Sequence, residues 1–249
     1  MNYQQHIVII GATSSIAEHC ARIWLQAEPV HLTLVGRNLN KTTQIAADLQ
    51  VRSPQSTINV LQANFIDPQA IQTLVHELCA NTRIDIVLIA HGSLPNQGEC
   101  QENLNVSHEA LTINGISPVL FAEAFAFVME QANHGTLAII SSVAGERGRK
   151  SNYVYGAAKA MVTRYAQGLQ HRLAQTKVRV VLIKPGPTQT PMTVNLKNQQ
   201  GLAPVMQVAQ QIVKGVNAQQ AVIYTPIKWA VIMWIIRHLP ARIFNKMDI

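Results

Sequence analysis

His6–Ala17 reads HIVIIGATSSIA: a short apolar run, a turn of small residues, and the start of a helical pattern that continues to Ala27. The run His6–Ile10 is rich in β-branched residues and shows no alternating polar face, which predicts a strand covered on both sides, as in a parallel sheet. Small residues in the turn let the backbone approach a ligand closely. The first N–H groups of the helix, with the positive end of its dipole, point at the same place. This combination predicts a pyrophosphate-sized anion site built from Gly11, Thr13, Ser14, Ser15 and Ile16. Gly11 is the single glycine of the turn; Ser15 and Ala17 stand where further glycines are usual. Taken alone, the stretch fits a strand-to-helix turn without a ligand equally well.

The same alternation repeats outward from this stretch. Leu32–Val35, Ile58–Leu61, Ile84–Ala90, Thr136–Ile140, Val178–Ile183 and Ala221–Tyr224 read as further strands, most of them continuously apolar. Helical patterns separate them at Ile16–Ala27, Lys41–Arg52, Pro68–Ala80, Leu111–Gln131, Tyr153–Ala174 and Ala203–Val216; Asp67-Pro68 is a capping residue followed by proline at the first helical position. The predicted fold is therefore α/β: a doubly wound parallel sheet of Rossmann type, with about seven strands and helices on both faces. Residues 1–226 form one dinucleotide-binding and catalytic domain in this reading, and 227–249 an amphipathic basic tail.

Bulk composition sets the outer bounds. Of the 249 residues, 48% are hydrophobic and 13% charged, which suits a large buried core and not a disordered chain. The net charge is +7, yet no dense Lys/Arg block exists, so no nucleic-acid partner is predicted. Cys20, Cys79 and Cys100 are far apart and form no CxxC pair; no metal site is predicted, and free thiols suit a reducing cytoplasm. The polar start Met1–His6 lacks the pattern of a signal peptide.

Two places carry the chemistry. The second strand runs into Val35-Gly36-Arg37-Asn38, with Lys41 close behind. A carboxylate at the position of Arg37 would bind the ribose hydroxyls of NAD, whereas a cation pairs with the 2′-phosphate of NADP, so NADP(H) is predicted over NAD(H). Without a nucleotide, Arg37 is an ordinary solvated cation. Further on, Tyr155 and Lys159 are four residues apart and share a helix face. An ammonium beside a phenol favours the phenolate and lowers its pKa from the usual ~10, giving a general acid or base near neutrality. The spacing alone also describes a surface pair. The preceding strand, however, ends in Ile139-Ile140-Ser141-Ser142, and strand C-termini are where α/β sheets bind ligands. A serine hydroxyl there can hold a carbonyl oxygen near the tyrosine.

With these pieces in this order, the chain resembles the classical short-chain dehydrogenases/reductases over nearly its whole length. The matching pieces are the Gly11 turn, Asn64, Ala90–Gly92, Asn114, Ser142, Tyr155 with Lys159, and Pro185-Gly186-Pro187-Thr188. The resemblance implies that Tyr155 is the catalytic acid/base and that Lys159 lowers its pKa and binds the nicotinamide ribose. It implies that Ser142, selected over Ser141 by its distance from the tyrosine, orients the substrate carbonyl, and that Asn114 helps hold a proton-relay water. Nucleotide contacts are implied at Asn64, Phe65, Ala90, His91, Gly92, Pro185, Gly186 and Thr188. The chain departs from the family pattern in its glycine-poor turn and in His91, which stands in Ile89-Ala90-His91-Gly92 where the family has Asn-Asn-Ala-Gly and reads as filling space beside the cofactor. These departures, together with the tail, are similar to the subgroup related to decaprenylphosphoryl-2-keto-erythro-pentose reductase, whose members reduce a keto-sugar carried on a polyprenyl phosphate for the cell envelope.

From Ile227 to Ile236 the tail is almost wholly apolar, with Trp229 and Trp234, and Arg237, His238, Arg242 and Lys246 follow among Leu239, Ile243 and Phe244. The run is shorter than the ~20 residues that cross a bilayer. It suits an interfacial helix at the cytoplasmic membrane face, and equally a helix packed on the domain or between subunits. The leading expectation is an NADP(H)-dependent reductase of a carbonyl substrate, lipid-linked and at the membrane face, working as a homodimer or homotetramer. The alternatives are a soluble reductase of a small ketone with its tail in an oligomer interface, and a non-catalytic NADP-binding regulator. Thr190–Gly201, rich in Asn and Gln and opened by Pro191 and Met192, is expected to be a mobile flap over the substrate.

Overall fold

The computed structural model describes residues 4–80, 82–194 and 200–247. Seven parallel strands form one sheet: β1 (His6–Ile10), β2 (His31–Gly36), β3 (Thr57–Gln62), β4 (Ile86–Ile89), β5 (Thr136–Ile140), β6 (Arg179–Pro185) and β9 (Val222–Thr225). Two short strands between the last two, β7 (Thr188–Gln189) and β8 (Ala203–Pro204), pair separately. The sheet order is β3-β2-β1-β4-β5-β6-β9. Connections wind one way from β1 to β3 and the other way from β4 onward, so a crevice opens at the C-terminal ends of β1 and β4, the binding position of such sheets.

Residue alternation along the strands builds two cores. Ile7, Ile9, Leu32, Leu34, Leu88 and Ile183 face α1 (Ser15–Ala27), α2 (Leu39–Arg52) and α8 (Val205–Asn217). Val8, Ile10, Val35, Val87, Ile139 and Leu182 face α3 (Pro68–Ala80), α6 (Ser117–Ala132) and α7 (Tyr153–Arg172). Each buried side chain of this size contributes about 1.5–3 kcal/mol, so a continuously apolar strand is what a two-faced sheet requires. β3 is the exception. It lies at the sheet edge, carries Asn59 and Gln62, and is half exposed along its length.

Most element ends shift by one or two residues from those read in the sequence, and three regions differ in a way that matters for the site. The helix expected at Leu111–Gln131 is part of a longer helical run: α5 (Leu104–Leu111), a π turn (Thr112–Ile116) and α6, preceded by α4 (Gln97–Glu102). Residues 97–110 are too polar for apolar periodicity to mark them, and side-chain caps start both helices. Asn96 accepts from the N–H groups of Gly98 and Glu99, and Asn103 from that of Asn105. Leu104–Ala132 is the one helical run among the described residues long and apolar enough to span a bilayer, but Phe121, Phe125 and Met129 bury its C-terminal half in the core. α8 begins at Val205 because Ala203–Pro204 is used as β8. The tail folds as α9 (Lys228–His238) and α10 (Ala241–Phe244). α9 has two apolar faces. Trp229, Ile232, Met233 and Ile236 lie inward at helical spacing, while Ile227, Val231, Trp234 and Ile235 are exposed.

Candidate active site

β5 delivers two adjacent serines to different tasks. Ser141 is buried, and its Oγ donates to the carbonyl of Lys159 at 2.8 Å and lies 2.8 Å from Thr163 Oγ1, so its hydroxyl belongs to the packing of β5 on α7. Ser142 caps the 3-10 turn Val143–Glu146, accepting from the Ala144 N–H at 3.1 Å. Its Oγ also reaches the Pro185 carbonyl at 3.5 Å, and its hydroxyl acts on the Tyr155 phenol, pulling its pKa down against burial. Two glycines make that meeting possible. A Cβ on Gly145 would lie 2.6 Å from the Lys159 carbonyl carbon, and one on Gly156 would lie 2.9 Å from the Ala144 oxygen. The serine turn therefore rests flat on the first turns of α7.

Lys159 is buried, with its ammonium donating to the Ile140 carbonyl at 3.2 Å and lying 5.9 Å from the centre of the Tyr155 ring. Burial lowers its pKa to about 8. The Tyr155 phenol is pushed above its ordinary value by burial, with the Ser142 hydrogen bond pulling the other way. This differs from the expectation that Lys159 lowers it. The ammonium donates to the Ile140 carbonyl, and desolvation of the phenol dominates.

Asn114 sits in the π turn, fully buried. Its Nδ2 donates to the Ala110 carbonyl at 2.9 Å and its Oδ1 accepts from the Ser93 N–H at 2.8 Å, tying the loop after β4 to the helix. A Cβ on Gly92 would lie 2.9 Å from that Oδ1 and 3.5 Å from the Lys159 ammonium. Gly92, Asn114 and Lys159 thus converge, and Gly115 lets the π turn approach Ala158 on α7. A π turn inside a long helix is a feature that concentrates at functional sites.

The nucleotide end lies across the same crevice. Gly11 has φ +86, and a Cβ there would fall 2.6 Å from His91 Cβ; its N–H donates to the Val35 carbonyl at 2.9 Å, as does that of Ala12 at 3.1 Å. Glycine is therefore required by conformation and by space. Ser14 precedes α1 without a side-chain cap, which leaves the first N–H groups of α1 to a ligand. His91 is buried beside the turn, with Nε2 at 2.8 Å from Ser117 Oγ and its ring edge-on to Phe65 and Phe121. Burial, then the charges of Lys159 and Arg37, lower its pKa to about 3, so the ring is neutral. The Phe65 ring is spent on that packing. Asn64 is exposed and its Oδ1 accepts from the Ile66 N–H at 3.1 Å, a local turn before α3. The Ala90 N–H donates to the Ile10 carbonyl at 2.9 Å, and Thr188 is buried, with its hydroxyl donating to the Gly186 carbonyl at 2.9 Å. Arg37 emerges at the rim, exposed, and no carboxylate pairs with it among the described residues. The uncapped helix start, the glycine cradle and the free cation together fit a dinucleotide with an extra phosphate.

Sequence reading missed the residues that join the tail to this site. Glu146, at the end of the serine turn, is almost fully buried. Its Oε1 accepts from Lys184 Nζ at 2.8 Å and from the Tyr224 hydroxyl, and its Oε2 pairs with Arg237 Nε at 3.2 Å. The neighbouring Arg147 donates to the carbonyls of Ile236 at 2.5 Å and Leu239 at 2.7 Å, and its guanidinium covers the Phe244 ring at 3.8 Å. The contacts of Glu146 and Arg147 with the tail join residues about ninety positions apart, and no local pattern announces them. Of the expected flap, Pro191–Thr193 form a 3-10 turn closed by a Thr190/Thr193 capping box, and 195–199 lie outside the described residues.

Residues 5–201 match the family described as short chain dehydrogenase. An uncharacterized oxidoreductase of Streptomyces coelicolor is 25% identical over 97% of this chain and 95% of its own length. A second, from Staphylococcus epidermidis, is 31% identical over 75% of this chain and 79% of its own. Among solved structures, a short-chain dehydrogenase from Sphingobium yanoikuyae in complex with NADPH superposes with a TM-score of 0.82 at 22% identity, covering 98% of this chain and 96% of that one. A bulky-bulky ketone specific alcohol dehydrogenase from Comamonas testosteroni gives 0.80 at 22% identity over 100% and 96%.

Proposed function

The chain belongs to the short-chain dehydrogenase family of NAD(P)-dependent oxidoreductases, and we propose that it reduces a ketone to an alcohol with NADP(H). The observation that carries this reading is the close seating of the serine turn on the first turns of α7, which brings Ser142 and Tyr155 together beside the buried Lys159 ammonium at the C-terminal edge of the sheet. NADPH, when bound, supplies the hydride. Gly11 and the start of α1 would hold its pyrophosphate, Arg37 its 2′-phosphate, and the Pro185–Thr188 segment would line the nicotinamide.

The protein's own groups then manage the carbonyl oxygen. Ser142 Oγ and the Tyr155 hydroxyl both donate to it, and Tyr155 transfers its proton as negative charge develops there. Burial keeps the phenol protonated at neutral pH, which suits a proton donor in reduction. Lys159, with a pKa of about 8, is mostly charged at pH 7 and stabilises the phenolate left behind. Asn114 holds the loop after β4 against the helix and keeps the ammonium's surroundings polar. Replacing Tyr155 by Phe removes only the hydroxyl. NADPH oxidation with a panel of ketones should fall by about 10²–10⁴-fold, with the NADPH dissociation constant nearly unchanged. Undiminished turnover in this variant would rule the role out.

We extend the reading to a homo-oligomeric enzyme on the inner face of the cytoplasmic membrane, with a lipid-linked keto-sugar as substrate. Support comes from the tail: Ile227, Val231, Trp234, Ile235 and Ile243 are exposed, Lys228, Arg237, Arg242 and Lys246 surround them, and no acidic residue lies between Ile227 and Met247. The full chain should co-sediment with phosphatidylglycerol-rich vesicles, less so in high salt, and a Trp234→Ser/Ile235→Ser variant should stay in the supernatant. Equal binding of both forms would refute contact through this face.

A further inference from the structure

The inner face of α9 lies against the segment that follows β6. Gly186 belongs to the segment proposed to line the nicotinamide, one residue after the Pro185 carbonyl that Ser142 Oγ approaches. A Cβ on Gly186 would lie 1.9 Å from Trp229 Nε1 and 2.4 Å from its Cδ1 and Cε2. The indole thus lies against bare backbone, and glycine at 186 is what lets it do so. Trp229 Nε1 has no acceptor among the described residues, although a half-buried indole N–H ordinarily finds one.

The indole is also firmly held. Met233, one turn along the same face, is 5% exposed. Glu146 pairs with Arg237, and Arg147 donates to carbonyls at the C-terminus of α9. Of the two clamp residues, Glu146 ends the turn that Ser142 opens and Arg147 follows it directly. The tail is therefore fastened to the serine turn at one end and to the Pro185–Thr188 segment at the other. A helix serving only as an anchor would need neither attachment.

We propose that Trp229 is a specificity-determining residue: it forms the tail's wall of the carbonyl pocket and selects ketones with a bulky apolar or ring arm, with its free N–H donating to a polar group on that arm. This rests on the carbonyl-reductase reading above. Ser142 and Tyr155 grip the oxygen, and Trp229 grips what the carbonyl carries.

Two measurements on the full chain test it. In a Trp24→Phe/Trp234→Phe background, Trp229 is the sole tryptophan of the three. Saturating NADP⁺ with cyclohexyl phenyl ketone should lower acrylamide quenching of its fluorescence several-fold. The corresponding protein retaining only Trp234 should show no such protection. In the second measurement, Trp229→Ala should raise KM for cyclohexyl phenyl ketone about tenfold, equivalent to ~1.4 kcal/mol, while kcat/KM for butan-2-one changes less than about twofold. Trp229→Phe, which keeps an aromatic ring and loses only the N–H, should stay within about twofold of the unaltered protein on this wholly apolar ketone. Equal losses on both ketones would mean a purely structural role, and unprotected fluorescence would remove Trp229 from the pocket; either result overturns the proposal. Failure of the unaltered enzyme to oxidise NADPH with any ketone would defeat the carbonyl-reductase reading by itself, and the quenching result would still decide whether Trp229 faces the bound nucleotide and ketone.

Discussion

Arg37 stands free at the end of β2, and no acidic residue occurs between Glu28 and Asp48 to compete for it. A solvated guanidinium so placed discriminates by charge: it attracts a 2′-phosphate and gains little from a bare ribose. Arg37→Asp should therefore raise KM for NADPH by about tenfold or more, ~1.4 kcal/mol per decade, and leave KM for NADH unchanged or lower. Equal KM changes for the two cofactors would exclude Arg37 from phosphate binding. At this scale the sequence was informative, because Tyr155 and Lys159 are joined by helix periodicity and Ser142 by its place at a strand end. Protonation was not legible. The raised Tyr155 pKa comes from burial by elements distant in the chain, and the lowered Lys159 pKa from the same cause.

The serine turn is the element on which the site's geometry depends. Gly145 presses on the backbone of Lys159 and Ala160, which cannot yield as a flexible side chain can. Gly145→Ala should cost about 1–3 kcal/mol through overpacking, lowering Tm by roughly 2–4 °C per kcal/mol, and should depress kcat by separating Ser142 from Tyr155. Gly148, three residues on, has nothing within 4 Å of its would-be Cβ, so Gly148→Ala should leave Tm and kcat unaffected. If the two variants behave alike in thermal melts and turnover, the close approach is not what positions Ser142. Elements with strong apolar periodicity were legible; α3 occupies the predicted span Pro68–Ala80. α4 and α5 were not, because polar residues and asparagine caps carry them, and the π turn around Asn114 has no signature in hydrophobic spacing.

For the whole molecule, two buried imidazoles couple stability to pH. His6 stacks on His31 at 4.0 Å with its pKa lowered to about 4 by burial and then by the His31 charge, and His91 lies at about 3. The unfolded chain binds these protons at roughly pH 6.5, so it is the more protonated state below that pH. The stability contributed by the neutral rings is complete above about 6.5 and is lost as pH falls toward 4. The urea midpoint should drop between these pH values, and His6→Leu should flatten the drop even if it lowers the midpoint at pH 7.5. An unchanged slope would locate the acid sensitivity elsewhere. The sequence alone determined the doubly wound sheet, which arises from periodicities of 2 and 3.6 residues, and it offered Ser142, Tyr155 and Lys159 together through short motifs whose order along the chain resembles the family's. Only the tertiary structure decided that the tail packs against the serine turn and the Pro185–Thr188 segment. The contacts of Glu146 with Arg237, of Arg147 with the end of α9, and of Trp229 with Gly186 each join residues more than forty positions apart, and chain folding brings such pairs together without any local pattern to mark them.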